Sequence, residues 1–170
     1  MAVVNLKGSR IITGLDTVPI ALADPGEGGG MVRYWCDTVE TSATEDDSVS
    51  STYELARIPS NARILGASKL YWDDLATTGS PTLDIGLYNL SGRSDITDDP
   101  DALNTGLDAA TAASSASVIA NIANYGKRAW EYVNGQTTDP KCTLSIKVRV
   151  VAAALTETGT ITLELLYAVD

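Results

Sequence analysis

The stretch "CTLSIKVRVVAAALTETGTITLELLY", Cys142 to Tyr167, decides the fold class. Cys142, Leu144, Ile146, Val148 and Val150 share one face of its first half, while Thr143, Ser145, Lys147 and Arg149 share the other. In its second half Ile161, Leu163 and Leu165 alternate with Thr160, Thr162 and Glu164. A period of two is the signature of a half-buried β-strand, and a one-residue slip would expose the whole apolar set. The link Ala152 to Gly159 ends in glycine, so the expectation is a terminal β-hairpin in which Glu164 pairs across the strands with Lys147 or Arg149. Burying each apolar side chain is worth ~1.5–3 kcal/mol, so these strands supply much of the core.

Working outward, more strand signals precede this pair. "VRYWCDTV" (Val32–Val39) is rich in β-branched and aromatic residues. "SVSSTYELARI" stops at Pro59, "PSNA" (Pro59–Ala62) makes a turn, and "RILGASKLYW" (Arg63–Trp72) follows as a strand. "TLDIGLY" (Thr82–Tyr88) alternates as a half-buried strand, and "RAWEYV" (Arg128–Val133) reads as another. Asn89–Lys127 is rich in Asp, Ser, Ala and Gly and reads as a long excursion with short helices at Pro100–Leu103 and Ser115–Asn124, the first capped by Asp99. Seven or eight strands with polar links predict an all-β, antiparallel, jelly-roll-like β-sandwich over residues 31–170, with a β-barrel as the alternative. Residues 1–30 end in "DPGEGGG" and read as an extended N-terminal arm, its glycine run lacking the strand and helix that a phosphate loop needs.

Composition narrows the chemistry. The 170 residues suit one domain with one core, and 44% of them are hydrophobic. Twelve basic against 22 acidic residues give a net charge of −10, the wrong sign for nucleic acid or an anionic membrane. No stretch is long and apolar enough to cross a bilayer, and the N-terminus lacks a signal-peptide pattern, so synthesis in the cytosol is expected. Histidine is absent, which removes the commonest general base and metal ligand. The two cysteines, Cys36 and Cys142, are far apart in the sequence and read as buried free thiols in strands.

Four clusters invite a chemical reading. Asp95, Asp98, Asp99, Asp101 and Asp108 could supply oxygen ligands to calcium, but their spacing lacks the glycine and terminal Glu of an EF-hand loop. "YWDD" (Tyr71–Asp74) sets two acids beside two aromatics, a pairing known from sugar-cleaving sites, although adjacent residues at a strand end point opposite ways. Glu45–Asp47 is a solvated charge run, and Lys147 and Arg149 form a small basic strip. The residues thus point to no catalytic group, no cofactor and no metal.

The order of the strand motifs carries a resemblance. "SVSSTYELARIPSNARILGASKLYWDD", then "TLDIGLYNL", then "TGTITLELLYAVD" is similar to decoration, or cement, proteins on the capsids of tailed bacteriophages. Ala56–Pro59, Ala62–Leu65, Leu83–Tyr88 and Thr158–Leu163 fill the motif places, with Ser60–Asn61 where a glycine-containing pair is common. The resemblance implies a structural, non-enzymatic role on the virion surface after synthesis in the host cytoplasm. It also implies a phage major capsid protein as partner, homotrimeric assembly, and no nucleic-acid or membrane contact. The expected contact residues are Val3, Val4, Leu6, Ile11, Ile12 and Leu15 of the arm, with Arg33, Lys147 and Arg149 of the body. The competing expectation is a tail- or receptor-associated module that binds host glycan through Trp35, Trp72 or Trp130.

Overall fold

Nine strands form two antiparallel sheets in a computed structural model that describes residues 31–42, 48–90, 92–93, 95–133 and 136–169. The strands are β1 (Met31–Thr41), β2 (Thr52–Pro59), β3 (Arg63–Ile64), β4 (Lys69–Trp72) and β5 (Thr82–Asn89). They continue with β6 (Asp99–Asp108), β7 (Ser114–Ser117), β8 (Thr143–Val151) and β9 (Gly159–Val169). One sheet runs β1-β9-β4-β7, with β3 also on β9; the other runs β2-β8-β5-β6. The all-β sandwich expected from the alternation is what the chain forms.

The terminal hairpin is not. β8 pairs with β2 on one side and β5 on the other, whereas β9 pairs with β1 on one side and with β3 and β4 on the other. The two strands lie in opposite sheets, and the link between them crosses the sandwich. Leu155 is buried in that link, and the N–H groups of Thr156 and Glu157 both donate to the Leu75 carbonyl. The faces assigned from the sequence are nevertheless the right ones: Leu144, Ile146, Val148, Val150, Ile161, Leu163 and Leu165 are all fully buried. Two strands with one apolar face each can lie side by side on a third layer or face to face. Here they face each other and are the core of each other's sheet.

Other local expectations yield to tertiary bonding. Arg63–Trp72 breaks into β3 and β4, and the buried Ser68 bridges the break. Its hydroxyl accepts from the Leu166 N–H and donates to the Leu166 carbonyl, each at 2.9 Å, so β9 keeps its ladder where β3 has ended. Thr82–Tyr88 is buried on both faces rather than one: the Asp99–Pro100 backbone lies against Gly86, Thr105 and Gly106 bond to Asp84, and Lys147 sits over Tyr88. Asp99–Pro100 opens strand β6 instead of capping a helix, and Ser114–Ser117 is β7, with only Ile122–Asn124 turned into a 3-10 turn. Proline is tolerated there because β6 is an edge strand and Pro100 stands near its start. Arg128–Val133 holds a 3-10 turn, Ala129–Glu131, since its Ala129 and Trp130 N–H groups donate to the Ala62 and Ser60 carbonyls of the turn beside it. Cys36 is exposed and Cys142 half-buried; both are free, and only the expectation of burial fails.

Two substitutions test this packing. A Cβ at Gly86 would stand 2.4 Å from the Asp99 carbonyl oxygen, with the Pro100 backbone as near, so Gly86→Ala must push β6 off β5. Denaturant unfolding should show a loss of about 1–3 kcal/mol. Ser68→Ala leaves the Leu166 N–H buried without its acceptor and should cost about 1–3 kcal/mol in the same assay.

Candidate interaction surface

The two long sides of the sandwich differ. On the β6–β7 side, several bonds cross between the sheets or their loops. Asn104 Nδ2 of β6 donates to the Ser117 carbonyl of β7 at 2.7 Å, and the Ala120 N–H donates to the Leu103 carbonyl at 3.0 Å. Trp72 Nε1 of β4 donates to the Asp108 carbonyl at 2.9 Å. On the β1–β2 side, Trp35 Nε1 of β1 donates to the Leu55 carbonyl of β2 at 2.8 Å. A groove lined by Trp35, Asp37, Glu54, Leu55, Ala56 and Arg57 runs along that side.

β1 is the exposed element of this side. Eight consecutive residues, Met31 to Thr38, are exposed, although the strand is fully paired along β9. Opposite the buried Leu165 and Leu163 stand Trp35 and Asp37, and opposite Tyr167 stands Arg33. The face that should close the core therefore carries two charges and a tryptophan that is 48% exposed. Met31, Val32 and Tyr34 are exposed to 68%, 57% and 61%, an apolar stretch on both faces of one edge strand. Inward-pointing charges are a device of edge strands, and in Arg33 and Asp37 they were legible in the sequence once the register was known.

The electrostatics of the groove are modest. Arg57 and Glu54 form an ion pair across the bulge in β2, and the hydrogen bond from Arg57 holds the Glu54 carboxyl below its usual range. The hydrogen bond with Cys36 pushes the Tyr34 phenol up.

The remaining expected site residues are scattered. Arg33 is exposed on β1. Lys147 and Arg149 lie half-buried on the outer face of the other sheet, so the three do not form one patch. Lys147 sits over the Tyr88 ring, 5.0 Å from its centroid, and Arg149 Nη2 donates to Ser50 Oγ at 3.2 Å. Neither meets Glu164, which lies in the opposite sheet and accepts from the Tyr71 hydroxyl at 3.2 Å. Val3, Val4, Leu6, Ile11, Ile12 and Leu15 lie outside the described residues. Trp72 is buried and Trp130 half-buried, which leaves Trp35 as the exposed tryptophan among the described residues.

The acidic clusters are occupied with structural bonds. Asp73 Oδ2 accepts from both the N–H and the hydroxyl of Thr160 at 2.7 Å, and those bonds hold its carboxyl below the usual range. Asp74 instead faces the Ala76 N–H. Asp95 is bonded by Arg93, Asp98 accepts from the Asn89 N–H, and Asp108 from the Ala110 N–H. Among the described residues, no three acids or cysteines come close enough to hold a metal ion, and no helix is long and apolar enough to cross a membrane.

No protein-family model and no curated protein sequence matches the chain. Solved structures do. The chain is similar to one in the capsid of Ralstonia phage GP4, at 21% identity and a TM-score of 0.55, over 95% of this chain and 96% of that one. The fold is shared with a phage capsid chain. Weaker matches are a chain of the cyanophage Pam1 capsid asymmetric unit (18% identity, TM-score 0.48, 91% and 96% covered) and one of the acidic stable capsid of Helicobacter pylori bacteriophage KHP30 (13%, 0.40, 82% and 94%). The motif order had pointed to proteins of phage virions, and the chain that shares this sandwich end to end comes from such a particle.

Asp73 gives a pH prediction. Its folded-state pKa is depressed, so its stabilising bonds are present above the unfolded value of about 4 and are lost as pH falls through the folded one. The melting temperature of the protein should fall below about pH 4. Asp73→Asn, which keeps an acceptor for Thr160 but cannot titrate, should show a shallower fall. An unchanged acid profile in that variant would remove Asp73 from the account.

Proposed function

We propose that this protein is a structural decoration protein of a phage capsid, seated on the outer surface of the head against the major capsid protein and stabilising contacts between its copies. The observation that carries the reading is the end-to-end likeness to a chain of the Ralstonia phage GP4 capsid, taken with the motif order that the whole body of the chain displays. The physical character agrees. The chain is acidic overall, histidine is absent, and Asp73, Asp98 and Asp108 are bonded to backbone groups. Such a protein works by contact, without catalysis. A strand or arm added to a partner's sheet edge gains main-chain hydrogen bonds and needs no special residues.

In this reading residues 31–170 are the body and residues 1–30 an arm that lies along a neighbouring chain, through Val3, Val4, Leu6, Ile11, Ile12 and Leu15. Copies group as homotrimers, and the chain reaches the virion after synthesis in the host cytoplasm.

Two outcomes are expected. Mass spectrometry of purified virions should find the chain at a fixed ratio to the major capsid protein, and heads that lack it should burst at a lower temperature. Heads lacking the chain with unchanged heat resistance would end the stabilising role. Deleting residues 1–30 should lower attachment to bare heads at least tenfold while circular dichroism still reports the β-sandwich. Binding of the isolated protein to host glycans, abolished by Trp35→Ala, would instead favour the tail-associated module.

A further inference from the structure

Strand β1 has one ladder partner, β9, and along its other side no strand is paired among the described residues. Which of its backbone groups face that open side follows from β9. Leu166, opposite Tyr34, turns its N–H and carbonyl to Ser68 and Leu65, away from β1. Thr160, opposite Glu40, turns its own to Asp73. In an antiparallel ladder the two members of such a pair both point outward, so Val32, Tyr34, Cys36, Thr38 and Glu40 aim their N–H and C=O groups at the open edge. Eleven residues of edge, with Met31, Val32, Tyr34 and Trp35 exposed beside it, make a long template for another strand.

Of the registers open to a second copy of β1, one sets opposite charges against each other. Antiparallel pairing of two identical strands about a two-fold axis must set outward-facing residues opposite each other, which restricts the centre to whole-residue positions. Centring on Cys36 would put Trp35 opposite Asp37. Centring on Asp37 would put its carboxylate opposite itself. Centring on Trp35 places Arg33 opposite Asp37 of the second copy, twice by symmetry, on the closely spaced non-hydrogen-bonded pairs where side chains meet most directly. The same register sets Met31 opposite Val39 and Tyr34 opposite Cys36. The hydrogen-bonded pairs are then 34 with 36 and 32 with 38, all outward-facing. In the single chain, Asp37 Oδ1 accepts from the Thr38 N–H at 2.9 Å, on the open edge. In the pair that N–H passes to Val32 of the second copy, and Asp37 is freed for Arg33.

We propose that two copies of this protein join edge to edge through β1, centred on Trp35 and keyed by reciprocal Arg33–Asp37 pairs, so that one sheet continues across both. The contact is isologous: the same patch serves on both sides, and it closes after two copies. It rests on the edge of β1 and not on the capsid reading.

Light scattering of the full chain in solution tests it, with no particle present, so its outcome is separate from that of the capsid assays. Arg33→Asp and Asp37→Arg each set like charges opposite twice, and each should lower the mass to that of the unit β1 joins. The double variant R33D/D37R should restore it. Cys36→Pro removes an outward N–H without touching the bonds to β9, and should break the contact while thermal unfolding stays cooperative. A wild-type protein that is already monomeric would overturn the proposal. So would single variants of unchanged mass, or a double variant no heavier than the singles.

Discussion

The structure depends on the burial of two apolar strand faces against each other, those of β8 and β9. Their seven inward side chains from Leu144 to Val150 and from Ile161 to Leu165 are inaccessible to water, and each strand has a neighbour on both sides. Every other strand is placed by pairing with one of these two, or with a strand that does. β2 and β5 take the edges of β8; β1, β3 and β4 take the edges of β9. β6 and β7 complete the layers and are tied across the sandwich by Asn104 and Trp72. On the remaining side Trp35 bonds across to Leu55, and a groove stays open there.

That asymmetry separates what is structural from what is free to meet a partner. Several charged groups elsewhere are committed: Asp73 holds the start of β9, Asp84 holds the positive-φ Gly106 of β6 through its N–H, and Glu131 caps the turn at Arg128. Burial of Tyr132, whose phenol is pushed up to about 12, fixes it as a neutral donor to the Asn124 carbonyl. Among the described residues, β1 combines length, an unpaired edge and apolar exposure on both faces. A protein whose task is contact would be expected to keep such an element uncommitted within its own fold.

The candidate surface was partly legible. Arg33 stood among the expected contacts and lies on the exposed strand. Trp35 was singled out as an aromatic that could meet a ligand, and it is the tryptophan left exposed among the described residues. Lys147 and Arg149 looked accessible because alternation turns them outward, yet they are half-buried, since Tyr88 and Ser50 stand beside them from neighbouring segments that alternation does not reveal. The role of Asp37 is not visible locally: it depends on lying opposite Leu163, a relation between residues more than a hundred positions apart.

Alternation by itself determined that the chain is all-β, which faces of β8 and β9 are buried, and that those faces form the core. Period and polarity are local properties, and burial reads them directly. Only the tertiary structure decided that the two terminal strands oppose each other in different sheets rather than pair as a hairpin. It also decided that Arg128–Val133 turns instead of extending, and that Asp99–Asp108 extends instead of coiling. Those outcomes rest on which distant N–H and C=O groups find each other. Main-chain hydrogen-bonding groups are alike in every residue but proline, so no local sequence records the choice.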